Sequence, residues 1–402
     1  MIARISPRRL SGTAVIPSSK SCAHRLLIAA ALCDVPTRVK LNASNDDISA
    51  TARCLHALGA KIMQTREGLD VQPIAHPCGS PQTLFCGESG STLRFLLPVA
   101  AALGARCTFT GCGRLPQRPN APLIEALRAH GVHADADLLP LSLSGTLMGG
   151  DYALPGNISS QYITGLLLAL PLCEQDSVLR LTTPLQSASY VDITLEVLRQ
   201  FSIRMEATGE GWLIPGNQKY RSPGDVQVEG DWSGAAFWLA ANEMGSHVHC
   251  EGLSGHSTQG DRAIRAHLSA LGDVIDVSDT PDLAPVLAVA ATAHRGVTRI
   301  TGAARLRLKE SDRLSAVTRM LRALNGRVEE LEDGWIIHGG PLSGGTVDGC
   351  NDHRIVMSAA IAATVASGEV VVTDAQSIHK SYPDFFETYN ALGGCAHVEP
   401  DR

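Results

Sequence analysis

Six stretches of the chain are apolar or small nearly all round, rich in Ala and Leu, and each is headed by polar residues: Lys20 to Asp34, Gly90 to Gly104, Ser159 to Cys173, Ser233 to Gly245, Asp282 to Gly296 and Asp352 to Gly368. A helix that is hydrophobic on every side is a buried helix. Six other stretches are amphipathic and run from a turn to a small or polar stop: Asp46 to Gly59, Asn120 to Gly131, Val191 to Ser202, Gly260 to Gly272, Ser311 to Asn325 and Pro383 to Gly393. In one of them Leu314, Val317, Leu321 and Leu324 recur at intervals of three, four and three, the stripe of a helix with one covered face.

The two kinds alternate strictly, which predicts twelve helices. Successive buried helices start 70, 69, 74, 49 and 70 residues apart, a repeat of about 67 residues. That exceeds the ~20–50 residues of most solenoid repeats and suits a small unit of strands and helices. Strand-like runs fill the gaps at Thr37 to Leu41, Arg106 to Thr110, Val178 to Leu181, Val297 to Ile300 and Val370 to Thr373. Hairpin patterns follow two amphipathic stretches, Ile203 to Ile214 around Gly209 to Gly211 and Val328 to His338 around Asp333-Gly334. Any α/β enzyme alternates helices with strands; six matched pairs argue for a true repeat. The 402 residues are enough for two or three domains, and a division into two sets of three repeats puts a boundary near Ser222-Pro223-Gly224, a turn-forming stretch just before the short 49-residue interval.

Composition narrows the function. An apolar fraction of 44% with 18% charged residues is that of a folded globular protein. A net charge of -6 gives no global reason to expect a nucleic-acid partner, so anions must be bound locally. Eleven cysteines are scattered without a Cys-x-x-Cys pair or a metal-ligand cluster, as expected of reduced thiols, with no metal. No apolar stretch of signal-peptide length follows the arginines of Met1 to Leu10, and no run reaches the ~18 residues of a membrane span, so a cytoplasmic protein with no membrane partner is expected.

The starts of the buried helices carry the candidate chemistry. Unsatisfied N–H groups and the helix dipole attract anions to such ends. The first reads Ser18-Ser19-Lys20-Ser21-Cys22-Ala23-His24-Arg25 and the second Gly87-Glu88-Ser89-Gly90-Ser91-Thr92-Leu93-Arg94. Ser159-Ser160-Gln161 opens the third, Asp282 the fifth and Asn351-Asp352-His353-Arg354 the last. Singly these are ordinary caps. The glycine loop lacks both the Lys-Ser/Thr ending of a P-loop and the dinucleotide spacing. Amphipathic stretches are headed by Gln117-Arg118-Pro119, Lys309-Glu310-Ser311-Asp312-Arg313 and His379-Lys380-Ser381-Tyr382-Pro383. The chain has 6 Lys against 28 Arg, yet Lys20, Lys309 and Lys380 all fall in these clusters, which favours point-charge contacts to anions or proton transfer. Together they suit a substrate pair with several negative charges.

In this order, Ser19-Lys20-Ser21 with Arg25, the Gly-x-Ser-Gly loop with Arg94, Arg118-Pro119, Ser159-Ser160-Gln161, Tyr190-Val191-Asp192-Ile193-Thr194, Lys309 to Arg313, Asn351 to Arg354 and Lys380 to Asp384 resemble the motifs of the 5-enolpyruvylshikimate-3-phosphate (EPSP) synthase family over almost the whole chain. The resemblance implies a two-domain, inverse α/β barrel-like fold of six βαβαββ units with buried parallel helices, joined by a two-stranded hinge. It implies one domain from 1–18 and 229–402, another from 19–228, and an active site in the cleft between them. The implied reaction transfers the enolpyruvyl group of phosphoenolpyruvate to the 5-hydroxyl of shikimate 3-phosphate, releasing phosphate, by addition and elimination through a tetrahedral intermediate. No cofactor is implied, the partners are the two small substrates, and the family is usually monomeric.

Carried over by position, Lys20, Ser21, Arg25, Ser159, Ser160, Gln161, Ser187, Asp282 and Lys309 resemble shikimate-3-phosphate contacts, with Tyr190 beside them. Lys20, Gly90, Arg118, Gln161, Arg313, Arg354 and Lys380 resemble phosphoenolpyruvate contacts. Asp282 resembles the carboxylate that takes the hydroxyl proton and Glu310 the acid that protonates the methylene carbon, assisted by Lys20. The chemistry asks for such a pair, since one proton is delivered and another removed. Glu88 stands where Asn is common in the family, and its carboxylate would repel phosphoenolpyruvate unless turned outward or paired with an arginine. Two alternatives stay open: the sister enzyme acting on UDP-N-acetylglucosamine, and a catalytically silent anion-binding homologue.

Overall fold

The computed structural model describes residues 1–76 and 78–400. Among them are twelve α-helices: α1 (Lys20–Ala31), α2 (Asp46–Ala57), α3 (Gly90–Ala102), α4 (Ala121–Ala129), α5 (Ser160–Ala169), α6 (Ala188–Gln200), α7 (Trp232–Glu243), α8 (Ile264–Ser269), α9 (Ala284–Ala293), α10 (Arg313–Ala323), α11 (His353–Ala363) and α12 (Phe385–Ala391). The odd-numbered helices are those read as apolar all round, and nearly every residue of α3, α5, α9 and α11 is buried. Two of the expected starts are 3-10 turns instead. Gly260–Ala263 forms a 3-10 turn ahead of α8, and Pro281–Leu283 another ahead of α9, so Asp282 lies in a tight turn leading into its helix.

The chain divides into two compact units, each with its own core: an inserted unit, Lys20–Glu229, and a terminal unit of Met1–Ser19 with Gly230–Arg402. The inserted unit holds three four-stranded sheets of one pattern. In each, a parallel pair of strands is extended by a hairpin of two antiparallel strands, as in Gln82–Phe85, Cys107–Thr110, Leu141–Gly145 and Val132–Ala134, where the parallel pair flanks the buried α3. In another, Asp225–Gln227 reaches back to lie parallel to Thr37–Lys40. Both expected hairpins are present, Glu206–Thr208 with Gly211–Ile214 and Arg327–Glu330 with Trp335–His338.

The terminal unit has two four-stranded sheets, one closed by both chain ends: Ile2–Ser6 pairs with Val370–Val372 and with Cys395–Glu399. Its third sheet has only two strands, Ser11–Val15 parallel to His247–Glu251. The repeat that starts at α7 therefore lacks a closing hairpin, which accounts for the 49-residue interval. The two segments at which the chain leaves and re-enters the terminal unit lie side by side: Ser18 and Gly230 form an antiparallel bridge, and Asp231 N–H donates to the Pro17 carbonyl at 2.8 Å.

Close packing sets the helix starts. A Cβ on Gly165 in α5 would collide with the Arg94 carbonyl of α3, so glycine at this helical position, ordinarily unfavourable by about 1 kcal/mol, lets the two backbones touch. That contact brings the first turns of α3 and α5, with Arg94 and Gln161, together.

Candidate functional site

In the terminal unit the structure draws residues from three helix starts onto one guanidinium. Arg313, the first residue of α10, is 1% exposed. Its Nε donates to Asp352 Oδ2 at 2.8 Å, Nη1 to Asp282 Oδ1 at 2.9 Å and Nη2 to Glu310 Oε2 at 2.6 Å. Burial alone works against the charge, but Asp352, Glu310 and Asp282 outweigh it and hold the guanidinium well above its ordinary value. Asp282 also accepts from Arg354 Nη2 at 2.9 Å and Lys309 Nζ at 3.5 Å. Asp352, fully buried, is the N-cap of α11 and accepts in addition from Ser311 Oγ at 2.9 Å. Lys380 ends a 3-10 turn and donates to the Asn351 carbonyl at 2.5 Å. Cys350 and Asn351 both adopt left-handed backbone to present that carbonyl, a conformation non-glycine residues accept at a cost of about 1–2 kcal/mol each. Of the sequence-predicted residues, Asp282, Lys309, Glu310, Arg313 and Arg354 thus share one network, and Lys380 adjoins it through Asn351.

Asp261, in the 3-10 turn before α8, is 5% exposed. Burial, then the charge of Asp282, pushes its carboxyl up to about 7 against the opposing pull of Arg354.

The inserted unit carries a second cluster. Lys20 opens α1 and pairs with Asp47 Oδ2 at 3.0 Å. Arg25, one turn on, is 2% exposed and packs its guanidinium 4.8 Å from the Phe95 ring. It donates to Thr194 Oγ1 at 2.7 Å, to the Ser21 carbonyl at 2.6 Å, and to Thr164 Oγ1 and the Tyr190 carbonyl at 3.4 and 2.8 Å. Four of its five N–H groups thus serve the protein, and burial brings it down to about 10. Its neighbour His24 is driven well below its ordinary value by burial and by the Lys20 and Arg25 charges.

At the next starts, Ser89 caps α3 by accepting from Thr92 N–H at 3.2 Å, and Ser159 caps α5 by accepting from Gln161 N–H at 3.3 Å. Ser160 is buried behind it. Arg94 donates to Gln161 Oε1 at 2.7 Å, which orients the amide so that Nε2 faces Ser91 Oγ at 3.0 Å. The Arg118 guanidinium lies directly against Gly90, where a Cβ would sit 2.8 Å from Nη1. The Glu88 carboxylate occupies the space a Cβ on Gly113 would take, packed over the 111–114 loop. Ser187, 2% exposed, is left-handed and leads into α6.

Sequence reasoning passed over Asp47, Asp352 and Asp261 as site residues. Asp47 sits in the first turn of an amphipathic helix, where an acid is ordinary compensation for the dipole. Asp352 reads as an N-cap and is one, while also accepting from Arg313. No pattern marked Asp261. No group of His, Cys, Asp and Glu side chains fit to hold a metal ion occurs among the described residues.

Helix starts crowded with paired cations and carboxylates, repeated in each of two units built from one motif, define a protein made to hold small polyanions. The family profile described as EPSP synthase (3-phosphoshikimate 1-carboxyvinyltransferase) matches residues 5–280 and 270–389. A Clostridium kluyveri protein named 3-phosphoshikimate 1-carboxyvinyltransferase is 40% identical, with 97% of each chain covered. One of the same name from Natronomonas pharaonis is 38% identical, with 98% of each covered. A solved structure of EPSP synthase from Acinetobacter baumannii superposes with a TM-score of 0.83 at 25% identity over 99% of this chain and 100% of the other. The chain belongs to the EPSP synthase family, enzymes of the carboxyvinyl transferase class.

Proposed function

We propose that the chain transfers the enolpyruvyl group of phosphoenolpyruvate to the 5-hydroxyl of shikimate 3-phosphate, and that the clusters of its two units serve this one reaction. The observation that carries the reading is the shared hold of Arg313 on Asp282 and Glu310, two carboxylates kept at fixed separation around one cation. In the addition step the hydroxyl oxygen bonds to the central carbon of phosphoenolpyruvate while its methylene carbon gains a proton. In the elimination step a methyl proton and phosphate leave. Asp282, surrounded by Arg313, Arg354 and Lys309, takes the hydroxyl proton. Glu310 delivers the other, since Arg313 engages its Oε2 and orients the carboxyl.

The substrate contacts are assigned as follows. Ser21, Arg25, Ser159, Ser160, Gln161, Ser187 and Lys309 bind shikimate 3-phosphate with Asp282. Gly90, Arg118, Arg313, Arg354 and Lys380 bind phosphoenolpyruvate, and Lys20 and Gln161 touch both. Cations matched to phosphate and carboxylate hold the reacting atoms in line and stabilise charge on the departing phosphate. The seat of Glu88 over Gly113 supports phosphoenolpyruvate binding despite its charge. The protein acts as a cytoplasmic monomer on small molecules; no helix among the described residues is long and apolar enough to cross a membrane.

The test is phosphate release from phosphoenolpyruvate without added metal, with shikimate 3-phosphate in one reaction and UDP-N-acetylglucosamine in another. Release only in the first is expected. Release only in the second, or in neither, refutes the assignment.

A further inference from the structure

The two segments where the chain passes between its units, already joined by the Ser18–Gly230 bridge, are also tied by one buried side chain. Gln259, 5% exposed, sits in the loop before α8. Its Oε1 accepts from Ser19 Oγ at 3.2 Å and from Trp232 N–H at 3.1 Å, which uses both lone pairs. Its Nε2 donates to the Gly230 carbonyl at 2.9 Å. Ser19 is the last residue of the outgoing segment and is completely buried. Gly230 is the first of the returning segment, and Trp232 opens α7. One amide therefore reads a hydroxyl, an N–H and a carbonyl across both crossings. The loop is itself braced, since Gln259 N–H donates to Ser257 Oγ at 3.1 Å.

No other side chain of this size matches the three partners. Leu would leave a buried hydroxyl, N–H and carbonyl unsatisfied, and an ionised Glu could not donate to the carbonyl. The residue that follows Ser19 is Lys20, whose ammonium is held toward Asp47 at 3.0 Å. The backbone direction at Ser19 sets where that side chain leaves the chain. We infer that Gln259 is a positioning residue, whose amide fixes both crossing segments and, through the Ser19 hydroxyl, the place of Lys20. The inference rests on the proposed reaction for the role of Lys20, but the placement itself is testable without turnover.

Two full-length variants test it. Ser19→Ala removes one hydroxyl and leaves Gln259 bonded to Trp232 and Gly230; Gln259→Leu removes the whole clamp. Lys20 is labelled with a limiting dose of acetic anhydride and mapped by mass spectrometry, with the exposed Lys61 and Lys219 as references. Relative labelling of Lys20 should rise at least about threefold in folded Ser19→Ala, and further in Gln259→Leu, because local opening frees the ammonium. In the turnover assay kcat should fall about tenfold, as expected when a reacting group is misplaced. If Gln259→Leu fails to fold, Ser19→Ala decides. A purely structural role would lower the melting temperature and leave the labelling ratio unchanged in folded protein, and that result would overturn the inference. If the parent shows no turnover, the functional reading fails, while the labelling ratio still decides whether Gln259 places Lys20.

Discussion

Replacing Arg313 by Leu removes a guanidinium with four contacts to three carboxylates: two to Asp352 and one each to Asp282 and Glu310. Asp352 is fully buried and would be left with Ser311 Oγ at 2.9 Å, the Arg354 N–H at 3.0 Å and the His353 ring 3.9 Å away. Breaking a buried pair by deleting one partner costs about 3–5 kcal/mol, because the remaining charge is uncompensated. At roughly 2–4 °C per kcal/mol for a unit of this size, the melting temperature should fall by about 6–20 °C. Lys at this position should recover little, since one ammonium cannot span the three acceptors.

Tryptophan fluorescence in a urea titration is the assay, because Trp232, Trp238 and Trp335 all lie in the terminal unit and are buried. A deficit below about 1 kcal/mol would show that the cation does not hold this cluster together.

Glu310→Gln should abolish turnover while leaving calorimetric binding of shikimate 3-phosphate nearly unchanged; normal turnover would remove Glu310 from the mechanism. Gly90→Ala puts a methyl group 2.8 Å from Arg118 Nη1, so the KM for phosphoenolpyruvate should rise about tenfold or more with shikimate 3-phosphate affinity retained, and an unchanged KM would separate Arg118 from that subsite. Asp261 holds its proton up to about pH 7 when folded, against an ordinary value of 3.8, so folding binds a proton between those values and stability falls as pH rises through that window. Asp261→Asn removes this slope, at most about 1.4 kcal/mol per pH unit, and should gain on the parent between pH 4.5 and 7.5; parallel stability profiles would contradict the buried carboxyl.

The twelve helices were legible because burial leaves a periodic trace: a helix covered on all sides must be apolar all round, and one covered on one face carries a stripe. The residues at their starts were legible because so few lysines occur in the chain, and half of them stand in those clusters. Several strands left little trace, since Gly345–Val347 or Asp225–Gln227 is too short for alternation to register. The loss of a hairpin showed only as a short interval, and tertiary pairing identified what was missing.

Which charges meet depended on the fold. Arg313 and Asp352 are 39 residues apart, and Arg354 and Asp282 are 72 apart, so no local spacing could join them. Asp352, Asp47 and Asp261 read in sequence as a cap and two acids in the first turns of amphipathic stretches, while the structure makes the first two partners of candidate site residues and the third a buried neighbour of Asp282. Gln259 bonds to Ser19 across 240 residues, an ordinary polar residue until the crossing segments come together around it. The physical reason is that the hydrophobic pattern is written locally, in burial at each position, whereas pairing of buried charges and amides depends on distances between elements that only packing establishes.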